Sequence, residues 1–161
     1  MAGDPLAYFI TFRTYGTWLH GDARGSVDRE HNIPNTPLLP PDPQRERRER
    51  EACEHSAVVF DARQRQVVQQ AIIAVCDHND WSPHELEVRS NHVHVVVSAP
   101  RRPEHVMRSL KSWCTRSLRE AGLLPAKAQA WARHGSTRYL WKPAELAAAC
   151  RYVRDGQGGE L

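Results

Sequence analysis

The amino-acid sequence predicts an α+β domain in which an antiparallel sheet carries helices on one of its faces. Runs rich in β-branched and aromatic residues alternate with longer segments whose apolar residues recur at helical spacing. Two of the strand-like runs are separated by only three polar residues, Arg89, Ser90 and Asn91. A connection that short favours a hairpin, and a hairpin requires antiparallel pairing.

The first half of the chain contains one predicted strand and one well-defined helix. Leu6–Thr14 is rich in aromatic and β-branched residues and predicts a strand. The stretch that follows, about 16–43, is crowded with Gly, Pro, Asn and Asp, and loops of that length are usually functional or disordered. Residues 44–54 alternate Arg and Glu, which favours a solvated helix over a nucleic-acid patch. Asp61 is then the predicted N-cap of a helix that ends near His78.

The second half supplies three more strands and two more helices. The patterns predict strands over His84–Val88 and His92–Ser98, a helix over 104–121, a strand over Thr137–Trp141 and a final helix over Ala144–Asp155. The order is therefore β-α-β-β-α-β-α. Through the fourth strand this is the ferredoxin-like split βαβ arrangement, in which strands one and three are central neighbours.

Size and composition are those of one globular domain that spans 1–161, with the loop insertion at about 16–43. The chain is 40% apolar and 25% charged, and its net charge of +3 gives only a mild preference for polyanions. The four cysteines form no Cys-x-x-Cys pair, so we expect buried, reduced thiols. No apolar run is long enough to span a membrane and no export signal is visible, so we expect a cytoplasmic protein, associated with the nucleoid if it acts on DNA.

The sequence His92-Val93-His94 is the strongest chemical signal in the chain. Side chains alternate along a strand, so the two imidazoles stand side by side on one face. Two neutral imidazoles can hold one divalent metal and leave positions for a third ligand and a substrate oxygen. The alternative is a polar-faced strand that carries two histidines without a metal.

Tyr152, in the final helix, is the candidate nucleophile. A phenol has a pKa near 10 and is a poor nucleophile at neutral pH, but metal coordination of a substrate phosphate would compensate for this. Attack by the phenol would give a covalent phosphotyrosine and release a sugar hydroxyl. One ester replaces another, so the step is nearly energy-neutral and needs no ATP. Tyr139, in the fourth strand, is the rival nucleophile, although an aromatic residue there more often packs in a core.

These residues resemble a known family. His92-Val93-His94 is similar to the HUH motif of the single-tyrosine, IS200-like HUH transposases, and the REP-associated tyrosine transposase branch is a nearer match. Residues 8–14, Asn91 and the tyrosine in the last helix also fit. The resemblance implies a DNA-nicking and -joining enzyme that uses Mg²⁺ or Mn²⁺ on single-stranded or hairpin DNA. It also implies a homodimer, in which the tyrosine helix serves either its own HUH site or the partner's.

The third metal ligand is left open by the sequence. In the family a polar residue about one turn after the tyrosine often completes the site, but here the fourth residue after Tyr152 is Gly156 and the fifth is Gln157. In an ideal helix these lie about 40° and about 140° from the tyrosine direction. Gln157 is our preferred ligand, provided that the helix unwinds near Gly156. Asp155, one residue nearer, is the alternative.

Cations on the helix over 104–121 are the predicted DNA contacts. Four of them fall on its non-apolar side: Arg108, Lys111, Arg116 and Arg119. Phosphate binding by such residues is independent of base sequence and sensitive to salt. The alternative is a solvated charged face.

Two other functions compete with a DNA transesterase. One is a non-catalytic single-stranded nucleic-acid-binding regulator on the same fold, which would bind DNA in the presence of a chelator and would never nick it. The other is a metallohydrolase that uses the same histidines and leaves no protein-bound DNA.

Overall fold

The computed structural model describes residues 3–16 and 57–155. Along these residues the elements are β1 (Ala7–Arg13), α1 (Ala62–His78), β2 (Ser82–Val88), β3 (His92–Ser98), α2 (Pro103–Glu120), β4 (Ser136–Leu140) and α3 (Pro143–Asp155). The order predicted from the sequence is confirmed. The predictions for most of the loop at 16–43 and for the helix at 44–54 lie outside the described residues.

The four strands form one antiparallel sheet in the order β2-β3-β1-β4. β1 and β3 are the central pair, as predicted, with Thr11 opposite His94 and Arg13 opposite His92. The β2–β3 connection is a tight hairpin in which the Arg89 N–H donates to the His92 carbonyl at 2.8 Å. The two histidines therefore lie on a central strand, where their backbone is held from both sides.

The main core lies between one face of the sheet and helices α1 and α2. Alternate residues of β1 and β3 enter it: Tyr8, Ile10, Phe12, Val93, Val95 and Val97. The apolar stripes of the two helices close over them, and α1 and α2 also pack against each other. The thiols of Cys76 and Cys114 are buried in this core, as predicted, whereas Cys150 is only partly buried.

Helix α3 covers the opposite face of the sheet. It is anchored by a smaller apolar cluster in which Ala149 and Val153 contact Val96, Ala7 and Leu140. This is the face to which alternation along β3 directs His92 and His94. The helix that carries Tyr152 is thus separated from α1 and α2 by the sheet and shares its side with the histidines.

Helix α1 begins where the sequence predicted. The Asp61 carboxylate accepts the Gln64 N–H at 2.8 Å, and the Gln64 side chain accepts the Asp61 N–H at 2.8 Å. This reciprocal pair is a capping box, which satisfies two N–H groups that have no partner within the helix. In the part of the chain that the structure describes, no helix is long and apolar enough to cross a membrane.

Candidate active site

The two histidines form one compact imidazole pair. Their ring centroids are 4.8 Å apart, and each residue is less than a tenth exposed. Phe9 of β1 meets the edge of the His94 ring at a centroid distance of 5.4 Å. The strand pattern therefore gives the side-by-side arrangement expected from the sequence, in a partly desolvated setting.

Each imidazole has one ring nitrogen fixed by a hydrogen bond. His92 Nδ1 lies 2.7 Å from Asn91 Oδ1, and a carboxamide oxygen can only accept, so Nδ1 carries the proton. His94 Nδ1 lies 2.7 Å from Thr11 Oγ1, which can accept a hydrogen bond from a protonated Nδ1 in the same way. With Nδ1 as the hydrogen-bond donor, each ring has the tautomer with an unprotonated Nε2, which is the usual form of a metal-binding histidine. Sequence reasoning missed the role of Thr11; its place on the same strand face as Phe9 was the available signal.

Burial keeps His94 neutral. Burial, together with the smaller effects of the positive charges of His92, Arg13 and Arg89, lowers the pKa of His94 to about 3. A neutral imidazole is the form that coordinates metal, so His94 is competent for binding across the physiological range. The arginines nearby also add positive charge around the pair, which suits an anionic substrate.

Tyr152 lies beside the imidazole pair in the same chain. Its ring centroid is 5.8 Å from that of His94 and 5.8 Å from that of Phe9. The neighbouring Val153 is 1% exposed and holds this turn of α3 against the sheet, whereas Tyr152 is 47% exposed. The phenol is thus both next to the histidines and open to a substrate.

Tyr139, the rival, is placed elsewhere. Its register partner is Tyr8, whose ring lies 5.2 Å away in an edge-to-face contact on the α1–α2 side of the sheet. The sheet therefore separates Tyr139 from the histidines. Of the two tyrosines that the sequence offered, the structure brings Tyr152 to the pair.

The preferred third ligand, Gln157, lies outside the described residues. Asp155 is exposed and pairs with Arg154 at 3.4 Å, and Arg154 also contacts Glu85 at 3.6 Å. Within residues 3–16 and 57–155, no three His, Cys, Asp or Glu side chains are arranged as a metal site. The chemistry of the imidazole pair fits a divalent ion.

The predicted DNA contacts on α2 separate into two groups. Arg108, Arg116 and Arg119 are exposed and line a groove of about 830 Å³ together with Trp113, over whose ring Arg116 lies at 5.1 Å. Lys111 also borders the groove, but its ammonium is half-buried and donates to the carbonyls of Ala132 and His134, at 3.1 and 2.6 Å. Because α2 packs on the other face of the sheet, this basic surface is remote from the imidazole pair.

The family model described as "Transposase IS200 like" matches residues 52–154, more than half of the chain. The chain therefore belongs to the IS200-like transposase family, as the sequence resemblance implied.

One solved structure supports the fold. A REP-associated tyrosine transposase bound to a REP hairpin aligns with a TM-score of 0.51 and 13% identity, over 95% of this chain and 67% of that one. A transposase-like protein from Deinococcus radiodurans R1 aligns with a TM-score of 0.49 and 12% identity, over 98% of this chain and 95% of the other. Among curated proteins, none matches this sequence.

Proposed function

We propose that the protein is a metal-dependent transesterase that nicks and rejoins single-stranded DNA through a covalent 5′-phosphotyrosine at Tyr152. The observation that supports this best is the position of the Tyr152 ring, 5.8 Å from His94 within one chain. A helical tyrosine next to a pair of oriented imidazoles is the set of groups that phosphoryl transfer to a phenol requires.

In this proposal His92, His94 and Gln157 hold a Mg²⁺ or Mn²⁺ ion, which supplies Lewis-acid polarisation of the phosphate when bound. Asn91 and Thr11 orient the two rings. The Tyr152 oxygen forms a bond to phosphorus as the bond from phosphorus to the 3′ oxygen breaks. The phenol loses its proton and the departing oxygen gains one, so the leaving group is a 3′ hydroxyl, which can attack the phosphotyrosine in the reverse direction.

Hairpin DNA is the proposed substrate. The structurally similar REP-associated tyrosine transposase is bound to a REP hairpin. In this chain the exposed arginines of α2 offer a cationic surface for phosphates, at a distance from the site of bond breakage. A homodimer is also proposed, and the contact between Tyr152 and His94 in one chain favours an active site that uses its own tyrosine.

The test is covalent capture of labelled DNA. Single-stranded DNA that carries a hairpin should become attached to the protein with Mn²⁺ present, and denaturing gels would show the adduct. Tyr152→Phe should abolish it, and so should His94→Ala, whereas Tyr139→Phe should retain it. An adduct that survives Tyr152→Phe and disappears with Tyr139→Phe would contradict the proposal.

A second candidate is a non-catalytic regulator that binds single-stranded nucleic acid. It is favoured by one observation: the imidazole pair has no third His, Cys, Asp or Glu ligand among residues 3–16 and 57–155. This candidate expects DNA binding that a chelator leaves unchanged and no adduct with any divalent ion.

A further inference from the structure

An exposed pair of aromatic rings lies at the edge of the sheet, outside the candidate active site. Tyr139 is 41% exposed and Trp141 is 49% exposed. Their ring centroids are 5.8 Å apart and their planes differ by 26°, so the two rings lie side by side in a stacked arrangement. Large aromatic surfaces tend to be buried, and a pair left this open indicates a surface that binds something.

The pair is held in place from behind. The Tyr8 ring meets Tyr139 edge-on at 5.2 Å. Leu140, between the two exposed rings, is fully buried and fixes this end of β4. The backbone after it is also fixed, because the Glu145 carboxylate accepts the N–H groups of Trp141 and Lys142 at 2.9 and 3.0 Å. The aromatic surface is therefore rigid, which lowers the entropic cost of binding.

Two exposed cations lie next to the rings in the sequence, Arg138 before Tyr139 and Lys142 after Trp141. Alternation along β4 directs Arg138 to the face opposite Tyr139. Acidic side chains are also close: Glu145 is engaged by the backbone, and Glu104 lies 3.5 Å from the Thr137 hydroxyl. Exposed aromatic rings interleaved with cations are typical of surfaces that bind single strands, where bases stack on rings and phosphates meet the charges.

The geometry points to Tyr139 and Trp141 as a stacking site for unpaired bases of single-stranded DNA. This inference rests on the proposed function, which supplies the single strand. Trp141 precedes α3 by two residues, and Tyr152 lies roughly 14 Å further along that helix. The aromatic pair faces the α1–α2 side of the sheet, so a strand held there would have to pass around the β4 edge to reach Tyr152 on the α3 side.

A second copy of the chain is the competing occupant. In an isologous contact the same patch faces itself, so the Lys142 side chains of both copies would enter one interface. Like charges brought together in this way disfavour self-association through this edge. An unpaired strand, which carries flat rings and negative charge, matches both features of the surface.

The experiment compares two probes on full-length protein in the Tyr152→Phe background, where no adduct forms. One probe is a fluorescein-labelled oligothymidine, and the other is an abasic strand of the same length, with Kd measured by anisotropy. Trp141→Leu and Tyr139→Leu should each weaken oligothymidine binding roughly tenfold and leave abasic binding unchanged, because stacking is lost while charge is kept. Trp141→Phe should retain most of the affinity.

Leu6→Ala is the matched control. Leu6 is 41% exposed and its N–H donates to the Leu140 carbonyl, so it is an apolar neighbour that offers no ring. Its replacement should change neither Kd. All replaced side chains are exposed, and thermal unfolding would verify that each variant folds.

Three results would overturn the inference: no loss for oligothymidine, an equal loss for the abasic strand, or sedimentation showing a dimer that Trp141→Leu dissociates at unchanged DNA affinity. Failure of the proposed function would look different. If the wild-type protein never forms an adduct but Trp141→Leu still weakens binding of oligothymidine and not of the abasic strand, the stacking site is supported and the transesterase function is refuted. If adducts form and the probes behave alike, only the stacking site fails.

Discussion

At the scale of single residues, the hydrogen bonds behind the imidazoles decide what the pair can bind. Thr11 and Asn91 each form a hydrogen bond with an Nδ1 atom of the pair. Such supporting contacts set the tautomer and ring orientation of a metal-binding histidine. The same two histidines without these partners would rotate and exchange tautomers.

Thr11→Val tests this support. Valine has nearly the same shape but cannot accept the His94 Nδ1 proton, so we expect affinity for Mn²⁺ to fall by about 10- to 100-fold. Isothermal titration calorimetry on the full chain would measure the change. Thr137→Val, on the edge strand, is the matched control and should bind Mn²⁺ as the wild type does. Equal Mn²⁺ affinity in the two variants would argue against a positioning role for Thr11.

Lys111 gives a prediction about pH. Burial lowers the pKa of Lys111 to about 8, whereas in the unfolded chain it is near 10.4. Between these two pKa values the unfolded chain binds more protons than the folded chain, so the free energy of unfolding rises with pH. The total rise due to Lys111 is on the order of 1 kcal/mol, after a reduction for the contact of this side chain with solvent. Below about pH 8 the side chain is charged in both states and the contribution is constant.

Urea denaturation of wild type and Lys111→Met at about pH 8 and about pH 10 would measure this contribution. The free energy of unfolding of the variant should lack this rise with pH. The stability of the wild type relative to the variant should therefore be greater at the higher pH. Comparing the two proteins cancels the opposing effect of thiols such as Cys114, whose pKa burial raises. Parallel pH profiles would show that Lys111 is not desolvated.

At the scale of elements, the start of α1 could be predicted from the sequence because capping depends on residues that are close along the chain. Asp61 and Gln64 satisfy each other's N–H groups, and the Gln64 amide also donates to the Leu123 carbonyl at 3.0 Å. The cap therefore both starts α1 and ties it to the segment after α2.

Asp61→Ala should lower the free energy of unfolding by about 1 kcal/mol, because the Gln64 N–H loses its acceptor. Asp61→Asn should recover most of the loss, since asparagine caps almost as well. Asp77→Ala, at the exposed C-terminal end of the same helix, is the control and should cost little. Thermal or urea unfolding would rank the three, and an Asp61→Ala variant as stable as Asp77→Ala would contradict the capping role.

At the scale of the whole molecule, the sheet divides two surfaces with different chemistry. The imidazole pair and Tyr152 lie on the α3 side, and the exposed arginines of α2 lie on the other. In the proposed function, the α2 surface binds the DNA and the α3 side of the sheet breaks the phosphodiester bond. Binding and chemistry should therefore respond to different mutations.

Replacement of Arg108, Arg116 and Arg119 by glutamine tests the separation. DNA affinity should fall and its dependence on salt should weaken by about one unit of slope for each phosphate contact removed. The rate of adduct formation at saturating DNA should stay the same, because the replaced groups are remote from the imidazoles. Arg63→Gln, exposed on α1, is the control. A fall in the saturated rate would mean that the basic surface takes part in the chemistry.

What the sequence determined by itself was local in origin. The period of two along β3 placed His92 and His94 on one face, hydrophobic periodicity gave the order of elements, and Asp61 marked a helix start. Only the tertiary structure decided that α3 covers the histidine face, that Tyr152 rather than Tyr139 lies beside His94, and that Lys111 turns inward. The physical reason is range: periodicity and capping are set by neighbours within a few residues. The partner of a ring or an ammonium, in contrast, depends on how distant segments pack across the sheet, and no pattern within one element encodes that choice.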